Sequence, residues 1–351
     1  MVFHTRHPVA HRRRPRWSLL LLAIALSVPA RAMRAQAPDT TATYIKAARL
    51  FDSETATLVG PRIIRVRGRM IEAVEERMTI PPGARVIDRS RFTVLPGLID
   101  AHTHLLYLGN SGRFGDVALK QAIADGSVVG PPMFVSGPGL SPIGGQFPGL
   151  TPEAIQIAEE EYRIVRSPDD AVWRAASAGV NSIEHAYQAA DSTLALMARN
   201  GVALVPTDID SVTFEQLMVR DAARNGQPPP SPALIAQYIA PQRERLRRAI
   251  AAGVIIVAGS DNYLDMKRPQ GAAAKRNLFA YAQSGMSNAQ VLQAATRNAA
   301  RLIGQHSRVG VIAPGRFADI IAVEGDPLTR LEALEHVTFV MANGHVHTGA
   351  P

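Results

Sequence analysis

The sequence contains no cysteine. Disulfides, thiolate metal sites and thiol nucleophiles are therefore excluded, and a metal site must be built from His, Asp, Glu or Lys. Lysine is scarce, at Lys46, Lys120, Lys267 and Lys275 only. No Gly-x-Ser-x-Gly nucleophile elbow occurs. Gly144-Gly145 lacks the Lys-Ser/Thr of a phosphate-binding loop and reads as a bare turn. Acidic residues are absent from residues 1–37, which carry seven arginines. The net charge of +8 falls to +1 without that segment. The basic character thus belongs to the N-terminus, and the body carries no nucleic-acid footprint.

That N-terminus reads as a secretory signal. The basic stretch ahead of the apolar run ends at Arg16, the apolar run covers Leu19 to Val28, and small residues follow at Ala30-Arg31-Ala32 and Ala35-Gln36-Ala37. Pro38 disfavours the second site and places the expected cut after Ala32. The apolar run is too short to span a bilayer comfortably. The expectation is an exported protein, periplasmic or extracellular, with no stable membrane anchor after cleavage.

The whole chain is 46% hydrophobic and 19% charged, which suits one large globular domain or one with a smaller companion. Residues 43–93 read as short strands with turn residues between them, including Ile63–Arg67 and Arg85–Asp88. The C-terminal region is similar in kind: Ala318–Val323 and Val337–Met341 read as strands, and Asn343-Gly344 is a strong hairpin signal. One sheet made from both ends is the simplest assembly. Between them, strands at 94–100, Met133–Ser136, Val180–His185, Val202–Pro206 and Val254–Ala258 alternate with helices. The helix candidates are Asp116–Ala124, Pro152–Val165, Pro168–Ala178, Ser192–Asn200, Pro232–Ala252 and Asn288–Leu302. Such alternation favours a parallel α/β sheet.

The chemistry gathers around Val94-Leu95-Pro96-Gly97-Leu98-Ile99-Asp100-Ala101-His102-Thr103-His104. On a strand, His102 and His104 would face the same side and could share a divalent cation. Asp261, in Ala258-Gly259-Ser260-Asp261, adds a carboxylate at another strand end. His185, in Ser182-Ile183-Glu184-His185, adds an imidazole. The same spacing at His345 and His347 follows a hairpin turn and reads as solvent-facing. Asp208, Asp210 and Tyr187 follow predicted strands and could line a mouth, Tyr187 as a substrate-binding hydroxyl.

These motifs together resemble the amidohydrolase superfamily, in particular its imidazolonepropionase-like or Xaa-Pro-dipeptidase-like branch. Further matching pieces are Leu204-Val205-Pro206-Thr207, Ala294-Ala295-Thr296-Arg297-Asn298-Ala299-Ala300, and Gly310-Val311-Ile312 through Asp319. The resemblance spans roughly 43–348. It implies a TIM-type (β/α)8 barrel with a small β-sandwich from both chain ends, and chemistry at the C-terminal ends of strands. On that pattern 1–37 is a signal peptide, 38–93 with 306–351 the composite β-sandwich, and 94–305 the barrel. His102, His104 and His185 would be metal ligands, and Asp261 both a ligand and the proton carrier.

Two departures accompany the resemblance. The family's bridging lysine or glutamate after the fourth strand has no counterpart, nor has the histidine after the fifth. Five barrel strands can be named where eight are expected, and the span 96–305, about 210 residues, sits at the low end for a closed barrel. Two internal segments are therefore expected to be missing, leaving an incomplete barrel. Exposed sheet edges then favour homo-oligomerisation.

The residues support two readings. The first is a metal-dependent amidohydrolase. It would cleave a C–N bond in a small amide, cyclic amide or dipeptide-like substrate, with one Zn²⁺ or another divalent ion activating water. The second is a shortened homologue that binds metal or ligand without turnover.

Overall fold

A computed structural model describes residues 42–103, 115–128, 132–135, 139–142, 162–165, 168–262 and 269–349. The proposed signal segment, His104 and Lys267 lie outside the described residues.

The N-terminal strands are β1 (Ala42–Asp52), β2 (Thr57–Val59), β3 (Arg62–Arg67), β4 (Met70–Glu75) and β5 (Arg85–Pro96). After α1 (Gly115–Ala124) come two short strands, β6 (Gly139–Pro142) and β7 (Tyr162–Val165). Then follow α2 (Pro168–Ser177), β8 (Ser182–Glu184), α3 (Asp191–Asn200), β9 (Ala203–Val205), α4 (Ser211–Arg224) and α5 (Pro232–Ala251). The helices α6 (Gln270–Ala274), α7 (Arg276–Gln283) and α8 (Asn288–Gln293) lead into a π-turn, Ala294–Asn298, and α9 (Ala299–Leu302). The chain closes with β10 (Ile320–Val323), a 3₁₀ turn (Leu331–Glu335), β11 (Val337–Ala342) and β12 (His345–Thr348).

Strands from both chain ends join in one eight-stranded mixed sheet, ordered β12-β11-β10-β5-β1-β3-β4, with β2 on β1. Alternation explains the register. In β3, Ile64 and Val66 are buried while Arg67 is exposed, and Ile45 of β1 lies opposite Ile64. These side chains meet Ile71, Ile87, Val94, Ile320, Phe339 and Met341 in one apolar cluster. Full burial of each such side chain contributes roughly 1.5–3 kcal/mol. The Asn343-Gly344 hairpin forms as its residues dictate, with φ of 50° and 78°. A Cβ on Gly344 would collide with the Gly68 backbone, so only glycine fits there.

Val94–Pro96 correct the sequence reading. They were expected to open the central α/β region, yet they end β5, paired with Ile320–Ala322 and anchored by β1. An all-apolar segment is buried as well by a sheet flanked on both sides as by a barrel, and pattern alone does not separate the two. Met133–Phe134 and Val135 form no strand. Within 137–180, where no strand was expected, β6 and β7 pair in parallel, Gly139 with Tyr162 through Pro142 with Val165. Tyr-Arg-Ile-Val is rich in strand formers, and parallel pairing makes Tyr162–Val165, the end of the expected helix Pro152–Val165, a strand; residues 152–161 lie outside the described residues.

The second parallel unit carries the site. β8 pairs with β9 from Ser182–Ala203 to Glu184–Val205, and Leu204 bridges to Ile256. The π-turn fastens the neighbouring segments. The Ala294 carbonyl accepts from Ala258 N–H at 3.0 Å and the Ala295 carbonyl from Ile99 N–H at 2.8 Å. A π-turn shifts helical hydrogen bonds and frees carbonyls for such partners. The segments that end in His102 and Asp261 are thus hung from one helix.

Candidate metal centre

Three segments converge where β8 and β9 end, beside residues 254–258; of this expected strand only Ile256 pairs, in a single bridge to Leu204. Ala101 N–H donates to Ala258 O at 2.9 Å, and Asp261 N–H donates to His102 O at 2.8 Å. Asp100 locks this junction by accepting from Ser260 N–H (2.9 Å), Ser260 Oγ–H (2.6 Å) and His102 N–H (3.2 Å). Gly259 makes the approach feasible. A Cβ there would stand 2.3 Å from Val205 Cγ1 and 2.7 Å from His102 Cβ. Its carbonyl is held by the Asn277 amide at 2.6 Å and the buried Tyr281 hydroxyl at 3.3 Å, both from α7.

His102, His185 and Asp261 each present a ligand atom, and these atoms lie within 4.8 Å of one another. The His102 and His185 rings meet edge-on at 5.0 Å, and His102 Nε2 is 3.5 Å from Asp261 Oδ1. Two imidazoles and a carboxylate, half-buried and convergent, are a donor set suited to a divalent cation once His102 has given up its proton.

Each imidazole has its other nitrogen engaged. His102 Nδ1 is 2.9 Å from Glu184 Oε2, while Glu184 Oε1 accepts from Ser182 Oγ at 2.7 Å. His185 Nδ1 is 2.7 Å from Thr207 Oγ1. Such outer partners orient metal-binding histidines. Electrostatics separates the two rings. Burial pulls His102 down, but hydrogen bonds and charge from Asp261 and Glu184 more than offset it, raising its pKa to about 9. Burial and the neighbouring His102 lower that of His185.

Backbone strain collects here. Among the described residues six non-glycine positions have positive φ, and four lie at this site: His185 (62°), Ala186 (46°), Thr207 (57°) and Asp261 (49°). Such conformations persist where their surroundings enforce them, and they cluster at functional sites.

The expected residues are therefore placed as follows. His102, His185 and Asp261 come together, and His104 lies outside the described residues. Tyr187 is 56% exposed, stacks on His185 at 5.5 Å, and has the Arg245 guanidinium 4.9 Å from its ring centre. Asp208 and Asp210 do not line an open mouth. Both are buried: Asp208 pairs with Arg245 of α5, while Asp210 caps α4 through Thr213 N–H and pairs with Arg276 of α7. His345 and His347 are exposed on β12, as expected.

Glu184, Thr207 and Arg245 were not singled out. Strand alternation points Glu184 and His185 to opposite sides. The left-handed turn at His185 breaks that alternation, so Glu184 reaches His102 while His185 still faces the cluster. A separate cavity of about 450 Å³, lined by Asn181, Ala203, Val254, Gln290 and Arg297 among others, opens at the opposite ends of the same strands.

Fold and cluster define an α/β protein of the TIM-barrel-like kind with a His/His/Asp centre at strand ends. Residues 167–347 match the Amidohydrolase family, and the chain belongs to that family. It is 29% identical over 218 residues to ochratoxinase of Aspergillus niger, covering 58% of this chain and 42% of that protein. It is 31% identical over 180 residues to an uncharacterised protein of Mycobacterium tuberculosis, covering 50% of this chain and 45% of that one. The chain thus spans less than half the length of these curated relatives. Among solved structures, a Xaa-Pro dipeptidase with bound methionine superposes with a TM-score of 0.70 at 20% identity, covering 88% of this chain and all of that one. Ochratoxinase of Aspergillus niger does so at 0.64 and 20%, covering 88% and 96%. Among the described residues no helix is long and apolar enough to cross a membrane.

Proposed function

We propose that this chain is an exported, metal-dependent amidohydrolase that cleaves a C–N bond in a small amide, cyclic amide or dipeptide-like substrate. The observation that carries the reading is the convergence of His102, His185 and Asp261, from three separate segments, within 4.8 Å. Membership of the amidohydrolase family sets the reaction class, and an ochratoxinase and a Xaa-Pro dipeptidase among its likenesses favour amide substrates.

The donor set fits one Zn²⁺ or a similar divalent ion. His102 and His185 would hold it through neutral imidazole nitrogens and Asp261 through a carboxylate oxygen, with His104 as a further donor. When bound, the ion acidifies water and polarises a carbonyl. The protein's own groups do the rest. Asp261 accepts the proton of the attacking water and returns it to the leaving amine. Glu184 holds the His102 ring in place. Tyr187, exposed beside His185, offers its ring and hydroxyl to the substrate. The missing strands, in this reading, leave an abridged (β/α) barrel beside a terminal β-sandwich. Export is supported by the arginine-rich, then apolar, then small-residue pattern of residues 1–37.

A second reading keeps the metal and drops the turnover. It is favoured by the share of its curated relatives that the chain matches, 42% and 45%. The described lysines also lie away from the site: Lys46 is on β1, Lys120 on α1, and Lys275 donates to Leu334 O. Metal analysis of the purified protein, with amide hydrolysis measured before and after chelation, separates the two. Stoichiometric metal with chelator-sensitive turnover supports the amidohydrolase, whereas metal without turnover supports the binding protein.

A further inference from the structure

His185 is oriented by a hydroxyl. Thr207 Oγ1 donates to the Pro206 carbonyl at 2.6 Å and lies 2.7 Å from His185 Nδ1. A hydroxyl has one hydrogen to give. With that hydrogen on Pro206 O, Oγ1 meets Nδ1 only as an acceptor. Nδ1 therefore carries the hydrogen, and the lone pair of the neutral ring sits on Nε2.

The turn that presents Thr207 is costly. Thr207 is buried and β-branched, yet its φ is 57°. Arg245 holds the residues on either side of it. Its Nη2 donates to Pro206 O at 3.4 Å, and the same group pairs with Asp208. Arg245 is 1% exposed, so the clamp is shielded from water. A strained residue gripped on both flanks, with its hydroxyl on an imidazole nitrogen, is a device for orientation.

We propose that Thr207 is a positioning residue that fixes His185 as the Nδ1–H tautomer and so makes Nε2 the nitrogen presented to the cation. The proposal rests on the reading of His185 as a ligand, and two separate readouts keep them apart. Side-chain ¹⁵N NMR of the histidines in chelator-treated protein reports the tautomer. Zinc affinity by chelator competition reports ligation. Thr207→Val removes the hydroxyl at constant shape, and Thr207→Ser restores it.

In the wild type, His185 shows a protonated Nδ1 and a bare Nε2. Thr207→Val mixes the tautomers and weakens zinc by about ten- to a hundredfold; Thr207→Ser recovers both. An Nδ1–H tautomer that persists in Thr207→Val overturns the proposal. So does an Nε2–H tautomer in the wild type, which decides the matter even if the valine variant does not fold. A tautomer change with unaltered zinc affinity upholds the role of Thr207 and overturns His185 as a ligand.

Discussion

His102 and Asp261 are joined twice, by the Asp261 N–H on the His102 carbonyl at 2.8 Å and by Nε2 and Oδ1 at 3.5 Å. Backbone and side chain thus converge on the same pair. The backbone bond fixes the separation of the two donors before any ion arrives. Removing either donor leaves the other positioned but weak. Asp261→Asn is expected to lower zinc affinity by at least about tenfold while the circular dichroism spectrum is kept. Unchanged affinity would remove Asp261 from the ligand set.

The charge on His102 predicts a pH dependence. With no cation bound, Asp261 and Glu184 hold it protonated to about pH 9. A cation must displace that proton. Zinc affinity should therefore rise by about tenfold per pH unit from pH 7 and level off above pH 9. The apoprotein moves the other way. A histidine whose folded pKa is raised above the unfolded 6.5 stabilises fully below 6.5, and that contribution fades as pH rises through 9. Proton release on zinc titration in weakly buffered solution checks the first expectation. Chelator-treated thermal melts across pH 6.5–9.5 check the second.

Glu184 acts through His102 rather than on substrate. Glu184→Gln keeps the shape but removes the charge that steadies the imidazolium and strengthens the ring as a donor. Zinc affinity should fall by about ten- to a hundredfold, and the pKa of His102 in the apoprotein should drop. A histidine titration followed by NMR that leaves His102 unmoved would contradict this.

The Asp208–Arg245 pair is nearly solvent-free, at 2% and 1% side-chain exposure. Burial raises Asp208 to a pKa of about 6 in spite of the guanidinium. Arg245→Met alone leaves a buried carboxylate without its partner and should cost about 3–5 kcal/mol. Arg245→Met with Asp208→Leu should recover most of that loss. Chemical denaturation of the three variants tests it, and a double variant no more stable than Arg245→Met would contradict it.

Gly259→Ala tests the close approach. The added methyl would meet Val205 Cγ1 and His102 Cβ well inside contact distance. Overpacking of this kind costs about 1–3 kcal/mol, and the displaced His102 should lose zinc. A variant of wild-type stability and zinc content would show that the junction has room for a methyl group.

Much of the centre was legible in the sequence. Asp100-Ala101-His102, Ile183-Glu184-His185 and Gly259-Ser260-Asp261 each read as a strand end with a donor; the three donors do meet, although only His185 directly follows a strand. The Asn343-Gly344 turn and the sharing of one sheet by both chain ends were also readable, since turn chemistry and alternation are local. Other features were not. β5 runs unbroken from Arg85 to Pro96 because pairing with β10 and β1 decides where an apolar run is buried. The π-turn at Ala294–Asn298 answers to the N–H groups of Ile99 and Ala258, which lie on distant segments. Thr207 and Arg245 gain their roles from a left-handed turn that residue pattern does not reveal in a β-branched position.

The most direct test is anomalous diffraction from zinc-loaded crystals. One strong peak is expected at about 2.0–2.2 Å from an imidazole nitrogen of His102, from Nε2 of His185 and from a carboxylate oxygen of Asp261. A peak elsewhere, or no peak at stoichiometric zinc, contradicts it.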